Sequence, residues 1–375
     1  MVRSHRCSQE MILLSAICCC FCYLIIPSNA FHALCNVNGN KRVEPFFTRG
    51  VSSSSTSMRR KTSRLSSTNE NILMPLARGS TVALITPMIP DTLEIDYPAL
   101  ERLLKYHMDA GTDGLCILGT TGEASLLSKN ERKKVIQTTV EMCKGKIPIM
   151  VGAGTIDPTT VKANILQARD EGADVVLVVT PYYVKPPQRG LIRHFTTAAD
   201  LGMPTVLYNV PGRTGVDCSP ETIFKCCCLS RNIVAVKEAT GDVSRVHKIR
   251  ALLSDVEDGE ELKVLLYSGD DATSVDFCLQ GGDGCISVTA NVAANAMHAA
   301  INAALKGDAE LANKINAPLE LLHDKLFCES NPIPVKWAAE RIGLIESGIP
   351  RPPLDALDDK FHSVLEEALA AAGLI

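Results

Sequence analysis

Ile233-Val234-Ala235-Val236-Lys237-Glu238-Ala239-Thr240-Gly241 is the stretch on which the reading of this chain turns. Its β-branched run, closed by Thr-Gly, predicts a strand along which side chains alternate between two faces. Ala235, Lys237 and Ala239 then share one face, and Val234, Val236 and Glu238 the other. A lone lysine among small neighbours, turned toward an apolar interior, loses hydration. Burial there favours the neutral amine, which is a nucleophile toward a ketone. An ion-paired lysine at a strand end fits the same nine letters equally well, so the surrounding sequence has to arbitrate.

Outward from this stretch, β-branched runs alternate with amphipathic segments. The runs are 81–86, 114–118, 147–151, 175–179, 205–208, 233–237, 263–268 and 285–288. Helix signals separate them, such as the stripe Leu100, Leu103, Leu104 closed by Gly111, and Pro158 at a first helical position. Eight such units predict an α/β fold, a (β/α)8 TIM barrel over residues 79–306. Residues 307–375 form a C-terminal helical extension, expected to cover the outside of the barrel or to meet a neighbouring subunit. Chemistry in such barrels gathers on the loops after the strands. Thr120 and Thr121, Tyr182 and Tyr183, Tyr208 and Arg213, Lys237, Gly269-Asp270-Asp271 and Ser287 to Asn291 all fall there.

The first 78 residues are of another kind. They carry ten Lys or Arg and three Asp or Glu, leaving 28 and 39 of the chain's 38 and 42 for the rest. The acidic body argues against nucleic acid as a partner. Residues 1–30 read as a signal peptide: Arg3 and Arg6, an apolar segment from Met11 to Ile26, then Pro27-Ser28-Asn29-Ala30. That segment is short for a membrane span, so no membrane association is expected of the mature form. Residues 31–78 read as a disordered transit leader, since 48–68 holds 12 Ser or Thr, five basic residues and no acid. The two parts together resemble leaders of proteins bound for plastids with extra membranes, which predicts the plastid stroma; secretion is the alternative. Nine of the 15 cysteines lie in the body without metal-ligand spacing, and are read as reduced thiols.

A lysine that attacks a ketone needs a proton carrier and ligands for carboxylates. Tyr208 has the parity of Val206 and Val210 and can face the same lumen, with Thr120 as a hydroxyl relay. Thr-Thr-Gly ahead of a helix offers N–H groups and hydroxyls to a carboxylate, although ordinary capping explains it too. Arg213, on a loop stiffened by Pro211, suits a second carboxylate, or else a surface pairing with Glu238.

Gly119-Thr120-Thr121-Gly122-Glu123, Tyr208-Asn209-Val210-Pro211 with Arg213-Thr214-Gly215, Lys237-Glu238-Ala239-Thr240-Gly241, Gly269-Asp270-Asp271, Ile286 to Asn291 and Asn331 to Lys336 together resemble the dihydrodipicolinate synthase family over 79–375. The resemblance implies condensation of pyruvate with L-aspartate-4-semialdehyde, in the route to diaminopimelate and lysine, by a homotetramer. It implies Lys237 as Schiff-base lysine and Tyr208, Thr120 and Tyr183 as a proton relay, with Tyr183 reaching in from the adjacent subunit. It implies Thr121 as a pyruvate-carboxylate ligand, Arg213 as the ligand of the aldehyde's carboxylate, and Ile286 as a backbone contact near the lysine. No cofactor or metal is expected, because the protonated imine is itself the electron sink. Where lysine-inhibited members place an Asn, a Glu and a His or Trp, this chain has Ile156, Thr160 and Lys129, so inhibition by L-lysine is expected to be weak or absent. The rival readings are an N-acetylneuraminate lyase or keto-deoxy-sugar aldolase, for which Arg213 has no use, and a barrel kept only as a scaffold.

Overall fold

The computed structural model describes residues 75–255 and 262–375. The two-part leader, 1–30 and 31–78, lies outside the described residues except for its last four. Eight strands close in sequence order into one barrel, and every neighbouring pair runs parallel. The elements run β1 (Gly79–Ala83), α1 (Tyr97–Asp109), β2 (Gly114–Ile117), α2 (Lys129–Cys143), β3 (Ile149–Gly152), α3 (Pro158–Asp170), β4 (Val175–Val179) and α4 (Gln188–Ala199). They continue β5 (Thr205–Asn209), α5 (Pro220–Leu229), β6 (Ile233–Glu238), α6 (Ser244–Ser254), β7 (Leu265–Ser268), α7 (Ser274–Leu279), β8 (Gly284–Ser287) and α8 (Ala294–Leu305). A one-turn helix, Pro211–Thr214, sits in the loop after β5. Past the barrel come α9 (Ala309–Asn316), α10 (Glu320–Lys325), α11 (Ile333–Arg341) and α12 (His362–Ala371).

Local chemistry fixes the helix starts. Asp96, Asp157 and Ser219 each accept a backbone N–H of the first turn and are followed by a proline at the first or second helical position. Ser128 and Glu131 form a reciprocal capping box on α2.

Two apolar layers follow from the alternation of the strands. The outer one packs the sheet against the helices and includes Ile117, Val151, Val178, Leu207, Val236 and Leu266. The inner one fills the lumen with Cys116, Met150, Leu177, Val206, Ala235, Tyr267 and Ile286. Leu76, just before β1, belongs to the inner layer, and the Tyr267 hydroxyl donates to the Ala77 carbonyl at 2.7 Å, so the N-terminal approach plugs one end.

Strand β6 departs from simple alternation at its start. Thr205 pairs with Ile233 but Val206 pairs with Ala235, which leaves Val234 as an extra residue. Ile233 therefore joins the outer layer and Val234 packs toward the lumen, opposite to the expected parity. From Ala235 onward the alternation holds, and Lys237 faces inward.

All nine body cysteines are free; Cys226 and Cys227 are buried, whereas Cys228 is exposed. Among the described residues, no helix is long and apolar enough to cross a membrane.

Candidate active site

Tyr208 and Lys237 are register partners on adjacent strands, so both side chains enter the lumen at the same height. The Lys237 Nζ lies 4.6 Å from the centre of the Tyr208 ring, and both residues are buried. The residues that follow on each strand point outward and hold the pair in place. Asn209 Nδ2 donates to the Glu238 carboxylate at 3.2 Å and to Asp217 at 2.8 Å, while its Oδ1 accepts from the Cys218 backbone. Arg245 from α6 donates to Glu238 at 3.0 Å and to Asp217 at 3.1 Å. Burial raises the Glu238 pKa, and the Arg245 guanidinium opposes that rise. The alternative pairing of Glu238 with Arg213 is thus not the one the chain adopts.

Lys237 opens into a cavity of about 130 Å³ whose wall includes Thr120, Thr121, Tyr208, Arg213, Gly269, Asp270 and Asn331. An adjoining cavity of about 250 Å³ shares Thr120, Tyr208 and Arg213 and adds Tyr182. Gly269 is small for a reason: a Cβ there would lie 2.8 Å from the Lys237 Cε.

The turn after β2 is bracketed by two non-glycine residues in the left-handed region, Leu118 and Glu123, each with φ of +55°. Gly152 lets β3 pass beneath it, since a Cβ would fall 1.9 Å from the Leu118 carbonyl oxygen. Such strain persists only where surrounding contacts over-determine it. Here Glu123 is wholly buried, 2.7 Å from the Nζ of Lys336 on α11, and accepts the Arg351 N–H at 2.8 Å. Lys336 also donates to the Ile349 carbonyl. Burial pushes the Lys336 pKa down, and the Glu123 charge counters it.

These contacts correct the expectation that residues 307–375 serve only the exterior or a neighbour. Asn331 and Phe327 line the lysine cavity. Asn331 Nδ2 donates to Thr121 Oγ1 at 2.9 Å, and its carbonyl accepts from Arg213 at 3.3 Å. Asn331 is a site residue to which the sequence assigns no role, although Asn331 to Lys336 carries part of the family resemblance.

The other named residues fall as follows. Thr121 is buried and Thr120 is exposed at the mouth. Arg213 is exposed on its one-turn helix. Ile286 is buried in the inner layer, packed among the lumen side chains. Tyr183 does not join them: it is 88% exposed, with φ of +67°. Beside it, Val184 and Ile156 are exposed around an apolar groove of about 690 Å³. Within one chain the Tyr208, Thr120, Tyr183 relay is therefore open.

A family model described as the dihydrodipicolinate synthetase family matches residues 76–372. A 4-hydroxy-tetrahydrodipicolinate synthase from Shewanella sp. (strain ANA-3) is 46% identical over 302 residues, covering 79% of this chain and 98% of the relative. Among solved structures, a chloride-inhibited dihydrodipicolinate synthase from Acinetobacter baumannii complexed with pyruvate is 44% identical with a TM-score of 0.74, covering 80% and 99% of the two chains. One from Cyanidioschyzon merolae with lysine bound is 32% identical, again with a TM-score of 0.74, covering 80% and 99%.

Proposed function

This chain belongs to the dihydrodipicolinate synthetase family, and from that premise we propose how its own residues carry out the reaction. The reaction is the condensation of pyruvate with L-aspartate-4-semialdehyde to 4-hydroxy-tetrahydrodipicolinate, a lyase step of lysine biosynthesis. The observation that carries the proposal is the buried amine of Lys237, 4.6 Å from the Tyr208 ring at the floor of a polar-walled cavity.

Lys237 adds to C2 of pyruvate and water leaves, giving an imine whose protonated nitrogen draws electrons from C3. Tyr208 carries the proton away from C3 as the enamine forms. The enamine carbon then bonds to the aldehyde carbon, whose oxygen gains a proton. The amine of the second substrate adds to C2, and Lys237 departs as the ring closes. Thr121, with the N–H groups of its turn, holds the pyruvate carboxylate, and Arg213 takes the carboxylate of the aldehyde. Ile286, on β8, offers its backbone as a contact near the lysine.

Borohydride reduction in the presence of pyruvate tests this reading. Mass spectrometry is expected to find Lys237 heavier by pyruvate less water plus two hydrogens. An unmodified Lys237 would sink the mechanism and favour a scaffold.

Tyr183 serves a second copy of this chain, closing the relay with that copy's Thr120 and Tyr208 in a homotetramer. Support comes from its exposed, left-handed placement beside an apolar groove, since exposed apolar patches mark association surfaces. Mixing inactive Tyr183→Phe with inactive Lys237→Ala subunits is expected to restore activity in hybrids; no restoration would overturn the shared site. The leader, 1–78, directs the chain to the plastid stroma. A reporter fused to it is expected in plastids, and appearance in the medium would mean secretion instead.

A further inference from the structure

Among the described residues, four lysines and arginines are buried: Arg132, Lys237, Arg245 and Lys336. A buried cation is ordinarily paired with an acid. Arg245 meets Glu238 and Asp217, and Lys336 meets Glu123. Lys237 is the nucleophile. Arg132, on α2, is left without an explanation: it is 6% exposed, burial lowers its pKa to about 10, and no acid counters that fall. It therefore keeps its charge at neutral pH with no described carboxylate to balance it.

The guanidinium is held in place. Its Nη2 donates to the Gly152 carbonyl at 2.7 Å, and its Nε is enclosed without an acceptor. Nη1 has no acceptor among the described residues either, yet it is not enclosed, so it is the nitrogen that Arg132 presents to the cavity it lines. That cavity, of about 450 Å³, has walls from α2 and α3 and includes Lys129, which is exposed and in no ion pair among the described residues. Thr155 and Tyr182, whose hydroxyls are 3.1 Å apart, complete its polar lining. No acid lines it. Glu131 is engaged by Arg351 and by the Ser128 N–H, and Asp157 by the N–H groups of Thr159 and Thr160.

From this we infer that the cavity between α2 and α3 binds a small oxyanion, phosphate or carboxylate, with Arg132 Nη1 and the Lys129 ammonium as its charged donors. Hydrogen bonds from a cation to an oxyanion are roughly twice as strong as neutral ones. Folding has already stripped water from most of this guanidinium and fixed its direction, so an arriving anion meets a donor that needs no further ordering. The Thr155 and Tyr182 hydroxyls supply neutral donors beside it. Arg213, Thr121 and Lys237 do not line this cavity, and the inference stands apart from the reaction proposed above. Gly154 and Tyr182 are common to it and to the adjoining cavity that holds Arg213, so the two have to be told apart by experiment.

The test is calorimetric titration of the assembled enzyme with inorganic phosphate and, separately, with citrate. Saturable binding of at least one is expected, with a Kd of about 1 mM or tighter. Arg132→Gln should weaken it by ~10- to 100-fold, the worth of a hydrogen bond to a charged group. Lys129→Glu changes an exposed side chain and so tests the site even where Arg132→Gln fails to fold; it should weaken binding by about threefold or more. Arg213→Ala and Lys237→Ala should bind as the parent does. Binding of phosphate alone identifies a phosphate-bearing ligand, binding of citrate alone a polycarboxylate, and binding of both the shared oxyanion chemistry. The inference is overturned if the parent binds neither probe saturably, if Lys129→Glu and a folded Arg132→Gln bind as the parent does, or if Arg213→Ala abolishes the signal.

Discussion

Replacing Lys336 by methionine keeps most of the side-chain volume and removes one charge. Glu123 and Lys336 are both fully buried and 2.7 Å apart. Their partnership has no solvent to fall back on. Without Lys336, the Glu123 carboxylate keeps a single donor, the Arg351 N–H at 2.8 Å. Breaking a buried pair from one side costs about 3–5 kcal/mol. For a domain of this size that corresponds to a fall in Tm on the order of 10 °C. Glu123 closes the turn that presents Thr121, so the pyruvate KM should rise as well. The control is the double variant Lys336→Met with Glu123→Gln, which removes the stranded charge. It should recover stability to within about 2 kcal/mol of the parent, because neutral replacement of a buried pair is often tolerated. Urea denaturation of the four proteins of the cycle measures the coupling. If Lys336→Met costs under about 1 kcal/mol, or the double variant is no better than the single one, the clamp does not operate as described.

Gly269→Ala would press a methyl group to 2.8 Å from the Lys237 Cε and 2.6 Å from the Ala239 Cβ, so borohydride trapping of pyruvate should slow at least about tenfold; an unaltered rate would show that the lysine has slack. Arg213→Ala should raise the KM for the aldehyde by ~10-fold or more while pyruvate still forms its adduct, as read by steady-state kinetics and mass spectrometry. His107 is buried, with Nδ1 3.0 Å from Thr112 Oγ1, and burial lowers its pKa to about 3. The unfolded chain alone binds that proton between about 3 and 6.5, so stability should fall as pH drops through this window, by about 2 kcal/mol from pH 6.5 to 5. Urea titrations should find the slope reduced in His107→Leu, and an identical slope would exclude His107 as its source. L-Lysine at millimolar concentration should inhibit weakly or not at all: Lys129 lines the groove beside Thr159 and Tyr182, and the Thr160 hydroxyl is committed to Asp157. Strong inhibition in a steady-state assay would refute this.

Features that depend on short-range pattern were legible in the sequence. Eight apolar runs gave eight strands because each is buried on both faces, and parity placed Tyr208 and Lys237 in one lumen. Features that depend on distant contacts were not. The bulge at Val234 arises from pairing with β5, which no property of the run itself announces. Arg245 displaces Arg213 as the partner of Glu238 because α6 packs over the outer face of β6. Asn331 reaches Thr121 across 210 positions of sequence, a meeting that follows from how the extension folds back over the barrel mouth.

That fold-back also sets when the site comes into being. The turn ending at Glu123 leaves the ribosome 213 residues before Lys336, an interval of roughly 10–40 s at ordinary rates of synthesis. A nascent chain thus holds its nucleophile for many seconds before the last walls of the pocket have been translated. A message cut short upstream of codon 331 would yield a barrel with its amine but without a finished cradle for the keto acid.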